Sequence, residues 1–152
     1  MSRNDSEKIK QRLNELFASQ KLAVLSTHDK GQPYSSLVCF ASTKDLKQIL
    51  FVTSKNTRKF SNIKTDSRVS FLIDNRTNQN SDIQDAIAVT ATGKAEIADG
   101  KERDVLLRHY LTKHPYLEDF VMEPTSALIN VKLEFCYLVE TFQKVTELRI
   151  SQ

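Results

Sequence analysis

The stretch from Ile129 to Val139 constrains the fold more than any other part of the chain. Ile129, Val131, Leu133, Phe135, Tyr137 and Val139 occupy every second position without a break. That is the period of a strand with one face on a core. A strand of this length carries a long row of backbone donors and acceptors, and each must find a partner. The rest of the sequence offers them. Leu22 to Thr27, Pro33 to Ser42, Ile49 to Ser54, Arg68 to Asn75 and Ala86 to Ile97 read as strands, and a final strand runs from about Val145 to Ile150. Asp29-Lys30-Gly31-Gln32 supplies a hairpin turn with a glycine free to take positive φ. Gly93, inside a strand, predicts a bulge. Most connections are too short to hold a crossover helix, which excludes a parallel doubly wound sheet. The expected fold is mainly β, of the α+β class: a six- to seven-stranded antiparallel barrel, closed or nearly so, with flanking helices.

Helical periodicity marks the junctions. Asn4 to Gln20 places Ile9, Leu13, Leu16 and Phe17 on one face, and Asn4 with Glu7 resembles a capping box. A short helix with Phe60 and Ile63 on its apolar side ends near Thr65-Asp66. Lys101 to His114 is expected to bury Leu107, Tyr110 and Leu111 before Pro115 stops it. Arg76 to Asp85 is polar, lacks a period and reads as an exposed loop. The organisation expected is one domain over residues 1–152: an N-terminal helix in 1–20, a barrel core in 22–98, a helix in 101–114 and closing strands in 126–150.

Composition narrows the function classes. Hydrophobic residues make up 39% and charged residues 27% of the chain, the balance of a soluble globular protein. Twenty-two basic against 19 acidic residues leave a net charge of +3 with no basic block, which argues against nucleic acid as a partner. No apolar run reaches the length of a membrane span, and the first residues do not resemble a signal peptide. Cys39 and Cys136 lie in apolar strand-like runs without metal-ligand spacing and read as reduced core thiols, so a cytoplasmic location is expected. His109 and His114 do not share a helix face, which argues against a metal pair. Lys113-His114-Pro115 reads as a basic helix C-terminus, and His28 as a solvated residue beside a hairpin. No Ser-His-Asp order, carboxylate pair or glycine-rich phosphate loop is present.

The strongest functional signal is Ile49-Leu50-Phe51-Val52-Thr53-Ser54-Lys55-Asn56-Thr57-Arg58-Lys59-Phe60. A strand ends in a polar turn, and the turn opens a helix that Asn56 or Thr57 can cap. Arg58 and Lys59 fall in its first turn, where cations oppose the helix dipole and suggest an anion to neutralise them. A phosphate is the natural candidate; the plain alternative is two solvated surface cations.

Gly31-Gln32-Pro33-Tyr34, then Phe51-Val52-Thr53 with Arg58-Lys59, then Arg68-Val69-Ser70-Phe71-Leu72 and Gly93-Lys94-Ala95-Glu96, make the region from Leu22 to Ile97 similar to the pyridoxamine 5′-phosphate oxidase-like family of flavin-binding split barrels. The resemblance implies a homodimer of six-stranded split barrels with FMN in the groove between subunits. It places the phosphate at Arg58 and Lys59 beside the strand end Val52-Thr53, and the isoalloxazine ring along Ser36, Leu37, Val38 and Cys39. It further implies an FMN-dependent oxidoreductase acting on a small substrate that the sequence does not identify. Ala88-Val89-Thr90-Ala91-Thr92 and the strand around Cys136 offer flat faces for a two-fold interface. The departures argue against oxidation of pyridoxine phosphates. Ser36 and Ala41 stand where those enzymes carry arginine and lysine, Ala88 stands in place of a glutamine, and their tryptophan-bearing C-terminal segment has no match. Two other readings follow from the same fold: a haem-binding or haem-degrading split barrel that depends on a histidine, and a flavin-binding dimer without enzymatic activity.

Overall fold

A computed structural model describes residues 1–152. Seven strands form one antiparallel sheet: β1 (Leu22–Asp29), β2 (Gln32–Ser42), β3 (Gln48–Ser54), β4 (Arg68–Asp74), β5 (Ala88–Ile97), β6 (Ser126–Glu140) and β7 (Lys144–Arg149). Their order is β3-β2-β1-β4-β5-β6-β7, and an additional β3–β6 pairing closes the first six into a barrel. The helices are α1 (Arg3–Ser19), α2 (Arg58–Thr65), α3 (Asp82–Asp85), α4 (Gly100–Lys113) and α5 (Glu118–Val121). The expected closed antiparallel barrel with flanking helices is the observed one, and β7 is the strand outside it.

Closure rests on β6. One edge pairs with β5 along nearly its whole length. The other edge is shared: Ser126 to Lys132 pair with β3, and Phe135 to Glu140 pair with β7. The sequence alternation that announced this strand hides a change of face. Thr92 pairs with Phe135 and Gly93 with Leu133, leaving Glu134 as an extra residue. One extra residue reverses which side chains point inward. Ile129, Val131 and Leu133 therefore fill the core, followed by Cys136 and Leu138, while Phe135, Tyr137 and Val139 turn to the outer face half-buried. The irregularity expected at Gly93 is present, with the inserted residue on the neighbouring strand. Backbones approach so closely there that a Cβ on Gly93 would sit 2.3 Å from the Lys132 carbonyl oxygen.

Two cores result. The barrel interior joins Leu25, Phe40, Phe51, Phe71, Ile73 and Val89 to Leu13, Leu16 and Phe17 of α1. The N-terminal cap differs from the sequence expectation: Ser2 and Asp5 form the capping box, and the helix starts at Arg3. Ser2 Oγ accepts from the Asp5 N–H at 3.1 Å, and Asp5 answers from the position where this box needs its carboxylate. A second core lies outside the barrel, where Ala41, Leu50, Val52 and Leu128 pack under Leu106, Leu107, Tyr110 and Val121. β3 is thus covered on both faces, which explains its unbroken apolar run.

α4 is held by polar bonds as well as by this core. Tyr110 donates its hydroxyl to the Cys39 carbonyl at 3.0 Å, and His109 Nε2 lies 2.8 Å from the Ser42 carbonyl. His114 is fully buried, with Nε2 2.7 Å from the Phe40 carbonyl and Nδ1 3.2 Å from the Tyr116 hydroxyl. A carbonyl can only accept, so Nε2 carries the proton and Nδ1 receives the tyrosine O–H. This corrects the expectation of a basic helix end at Lys113-His114. The histidine is a buried neutral donor to β2. Lys113 does cap a helix, but that helix is α1, whose Phe17 carbonyl accepts from its ammonium at 2.9 Å.

Two outcomes follow. Gly93→Ala should destabilise by about 1–3 kcal/mol, read as a lower urea midpoint, because a backbone carbonyl cannot move aside as a side chain could. Burial lowers the His114 pKa from its ordinary value near 6.5, against a smaller opposing effect of the Phe40 carbonyl. The unfolded chain then binds the proton more readily, so stability present above pH 6.5 is lost progressively as pH falls below it. The melting temperature should decline from pH 6.5 downward, and His114→Gln, which keeps a donor for Phe40, should confine the decline to the carboxylate range.

Candidate functional site

The turn after β3 builds the site. Thr57 is the N-cap of α2 and accepts from the Phe60 N–H at 3.4 Å. Its hydroxyl donates to the Ser54 carbonyl at 2.9 Å and lies 3.0 Å from Thr53 Oγ1. Thr57 thus satisfies one of the free N–H groups, and those of Arg58 and Lys59 have no intrahelical acceptor. No carboxylate occupies the first turn. Arg58 is exposed, with its guanidinium 5.3 Å from the centre of the Tyr34 ring, and Lys59 is half-buried. Arg58, Tyr34, Gln32, Asp29 and Ser61 border a groove of about 550 Å³.

α2 is tied to the β1–β2 hairpin at three levels. Arg58 meets Tyr34 at the first turn, and buried Asn62 donates to Thr27 Oγ1 at 3.0 Å in the middle. At the far end Asp66 lies 3.0 Å from His28 Nε2 and takes two bonds from Arg68, at 3.0 and 2.7 Å. The Arg68 contacts hold the Asp66 carboxyl well below the usual carboxylate range. His28 Nδ1 accepts from the Gly31 N–H at 3.2 Å, which fixes the tip of the hairpin. His28 is therefore half-buried and engaged at both nitrogens, in contrast to the solvated residue expected from sequence.

The remaining sequence-derived site residues are distributed as follows. The Thr53 side chain is buried and engaged by Thr57, and Val52 lies in the second core. On β2, Ser36 and Val38 share the inner face with their β1 partners Leu25 and Ala23, whereas Leu37 and Cys39 face outward. Arg58 comes together with Tyr34, which sequence reasoning did not weigh as a site residue, and Lys59 follows it in the first turn of α2. Ser36 Oγ is buried and has no hydrogen-bond partner. An unpaired buried hydroxyl costs about 1–3 kcal/mol. Two cations and free helix N–H groups at the start of α2 form a donor set that fits a phosphate. The orphaned hydroxyl had no sequence signal, because serine is common in strands.

The outer face of the same sheet carries the second feature. Val24 pairs with both Leu37 and Leu72, and Leu72 pairs with Thr90. Leu37 is 66% exposed, Leu22 50% and Leu72 37%. Thr90 and Thr92 continue the surface to Tyr137 and Phe135, whose rings stack 6.1 Å apart. Of the strand expected to be flat and small, Ala88, Thr90 and Thr92 face outward, and Val89 and Ala91 are buried inward. A contiguous apolar surface of this kind marks an interaction site.

Other chemistry is confined. No three His, Cys, Asp or Glu residues are grouped to hold a metal. Burial pushes the Cys136 thiol up to about 12, which makes it inert. Cys39 is half-buried and packs against the second core. No helix is long and apolar enough to cross a membrane.

Comparison with known proteins agrees with this architecture. A haem-binding protein from Mycobacterium smegmatis superposes with a TM-score of 0.82 at 16% identity, over 92% of this chain and 57% of that one. The chain thus spans little more than half the length of that relative. A protein of Clostridium acetobutylicum related to general stress protein 26 gives a TM-score of 0.73 at 17% identity, over 95% and 96% of the two chains. An FAD-binding protein from Mesorhizobium loti gives 0.68 at 15% identity, over 84% and 90%. These are likenesses of fold. No curated protein matches in sequence. The model of the pyridoxamine 5′-phosphate oxidase family matches residues 9–140, nearly the whole of the barrel and its helices, and the chain belongs to that family.

Proposed function

We propose that this protein is an FMN-binding flavoprotein that works as a homodimer and transfers electrons to or from a small substrate. The observation that carries the reading is the donor set at the start of α2: exposed Arg58 beside Tyr34, half-buried Lys59 and two N–H groups without an intrahelical acceptor. Arg58 and Lys59 would neutralise the phosphate, with the α2 dipole adding to their field. The ring would lie along β2, against outward-facing Leu37 and Cys39 and the backbone of Ser36 and Val38. A second copy of the chain covering Leu22, Leu37 and Leu72 would shield the ring from water. The bound flavin supplies the redox chemistry, while this chain's residues position it and control access.

Ala41 supports a substrate other than a pyridoxine phosphate. It is 1% exposed and packed in the second core with Leu50, Leu107 and Val121. A lysine there would place an ammonium among apolar side chains, which is strongly unfavourable. The FAD-binding neighbour favours a flavin, and the haem-binding neighbour keeps a second ligand class in view. His28 and His114 hold hydrogen bonds at both ring nitrogens, so an iron ligand would have to break one. Two free cysteines and the absence of a membrane-spanning helix accord with our placing the protein in the cytoplasm.

The protein as purified, or after incubation with FMN, should show a flavin spectrum, and colourless protein under both conditions would overturn the assignment. Replacing Arg58 and Lys59 together by alanine should weaken FMN binding by about 3 kcal/mol or more, since each charge-assisted contact contributes about 1.5–3 kcal/mol. Unchanged affinity by fluorescence titration would put the phosphate elsewhere. Light scattering should give a dimer at micromolar protein and a monomer for Leu37→Glu. Oxidation of NADH or NADPH by the loaded protein separates an oxidoreductase from a flavin-binding dimer without turnover.

A further inference from the structure

The largest cavity lies away from the flavin cradle. It has a volume of about 1170 Å³ and is bounded by α1, the turn between β2 and β3, and the C-terminal end of α4. It is large enough to admit a small molecule. Asn14 of α1 donates to the Lys44 carbonyl at 3.1 Å, which holds two of the three walls together.

The charges around it are unevenly satisfied. The acidic groups all have partners of their own. Asp45 takes bonds from Thr43 Oγ1 at 2.7 Å and the Lys47 N–H at 3.0 Å. Glu7 lies 3.7 Å from Lys10, and Glu15 accepts from Gln11 at 3.1 Å. The cations Lys8, Lys44, Lys47 and Lys113 border the same space with no carboxylate within ion-pair distance. Lys113 is the innermost. Its ammonium lies 3.9 Å from the centre of the Phe40 ring and donates to one carbonyl, that of Phe17. An ammonium has three donors, so this half-buried one retains capacity for an anion. Ala18 is exposed beside it, while Phe17 and Ala41 lie buried behind the wall.

We propose that this groove binds a small polyanion, with its acidic groups on Lys44, Lys47 and Lys113. The site is separate from the flavin cradle and shares no residue with it. Phosphate groups on a nucleoside and phosphate alone present the same charges, and titration with each distinguishes the two sources.

Calorimetric titration of the full-length protein with ATP and with inorganic pyrophosphate tests this. Both probes should bind, since each presents the phosphate charges that the lysines would hold. Lys44→Gln with Lys47→Gln, both on an exposed turn, should weaken ATP by about tenfold or more while leaving FMN binding unchanged. Lys113→Met should do the same, with its fold checked by circular dichroism because Lys113 also caps α1. Absence of binding by either probe at millimolar concentration would overturn the proposal. So would ATP affinity that survives both lysine variants but is lost in the Arg58/Lys59 double alanine variant, which would assign the anion to the flavin cradle.

Discussion

The architecture depends on β6 satisfying two edges at once. A barrel closes only if its last strand finds the first, and here one long strand meets β5 on one side and both β3 and β7 on the other. The two halves of that strand must face differently, because the first half packs against the barrel interior and the second leads to an extra hairpin. Glu134 provides the change of phase, and Gly93 provides the room for it. Without the inserted residue, Phe135, Tyr137 and Val139 would compete for the interior that Cys136 and Leu138 occupy. The bulge also sends two aromatic rings to the outer face, where they extend the apolar surface begun by Leu37 and Leu72.

The second core has a comparable role for function. By covering the outer side of β3 and the end of β2, α4 buries the side chains of Ala41 and Val52. What stays open on β2 is the segment around Leu37, and what stays open after β3 is the first turn of α2. The candidate site is the part of the sheet that the helix does not reach. His109, Tyr110 and His114 set that limit by anchoring α4 to the Ser42, Cys39 and Phe40 carbonyls of β2.

Much of this was legible in the sequence because it is local. Alternating β-branched residues, a glycine at a hairpin tip and two cations after a capping threonine each declare themselves within a few residues. The family resemblance rested on such stretches, and residues 9–140 match the family model. The features that escaped are the ones that join distant segments. The alternation from Ile129 to Val139 looks unbroken because apolar residues sit on both sides of Glu134. His114 meets a carbonyl of Phe40, far away in the chain, and so read as a charged helix end. The capping box lies two residues earlier because Ser2 and Asp5 satisfy it as well as Asn4 and Glu7 would. Ser36 gives no sign in sequence that its hydroxyl will be buried without a partner.

The three ties between α2 and the β1–β2 hairpin make one rigid unit of the helix and the strand pair beside it. Arg58 rests on an aromatic ring of that hairpin, Asn62 is bonded to its buried threonine, and Asp66 braces its tip through His28. A ligand that arrives at the first turn meets a surface already in its bound shape, with little backbone ordering left to oppose it. Discrimination among anions of similar charge should therefore be expressed in how long each one stays rather than in how fast it enters.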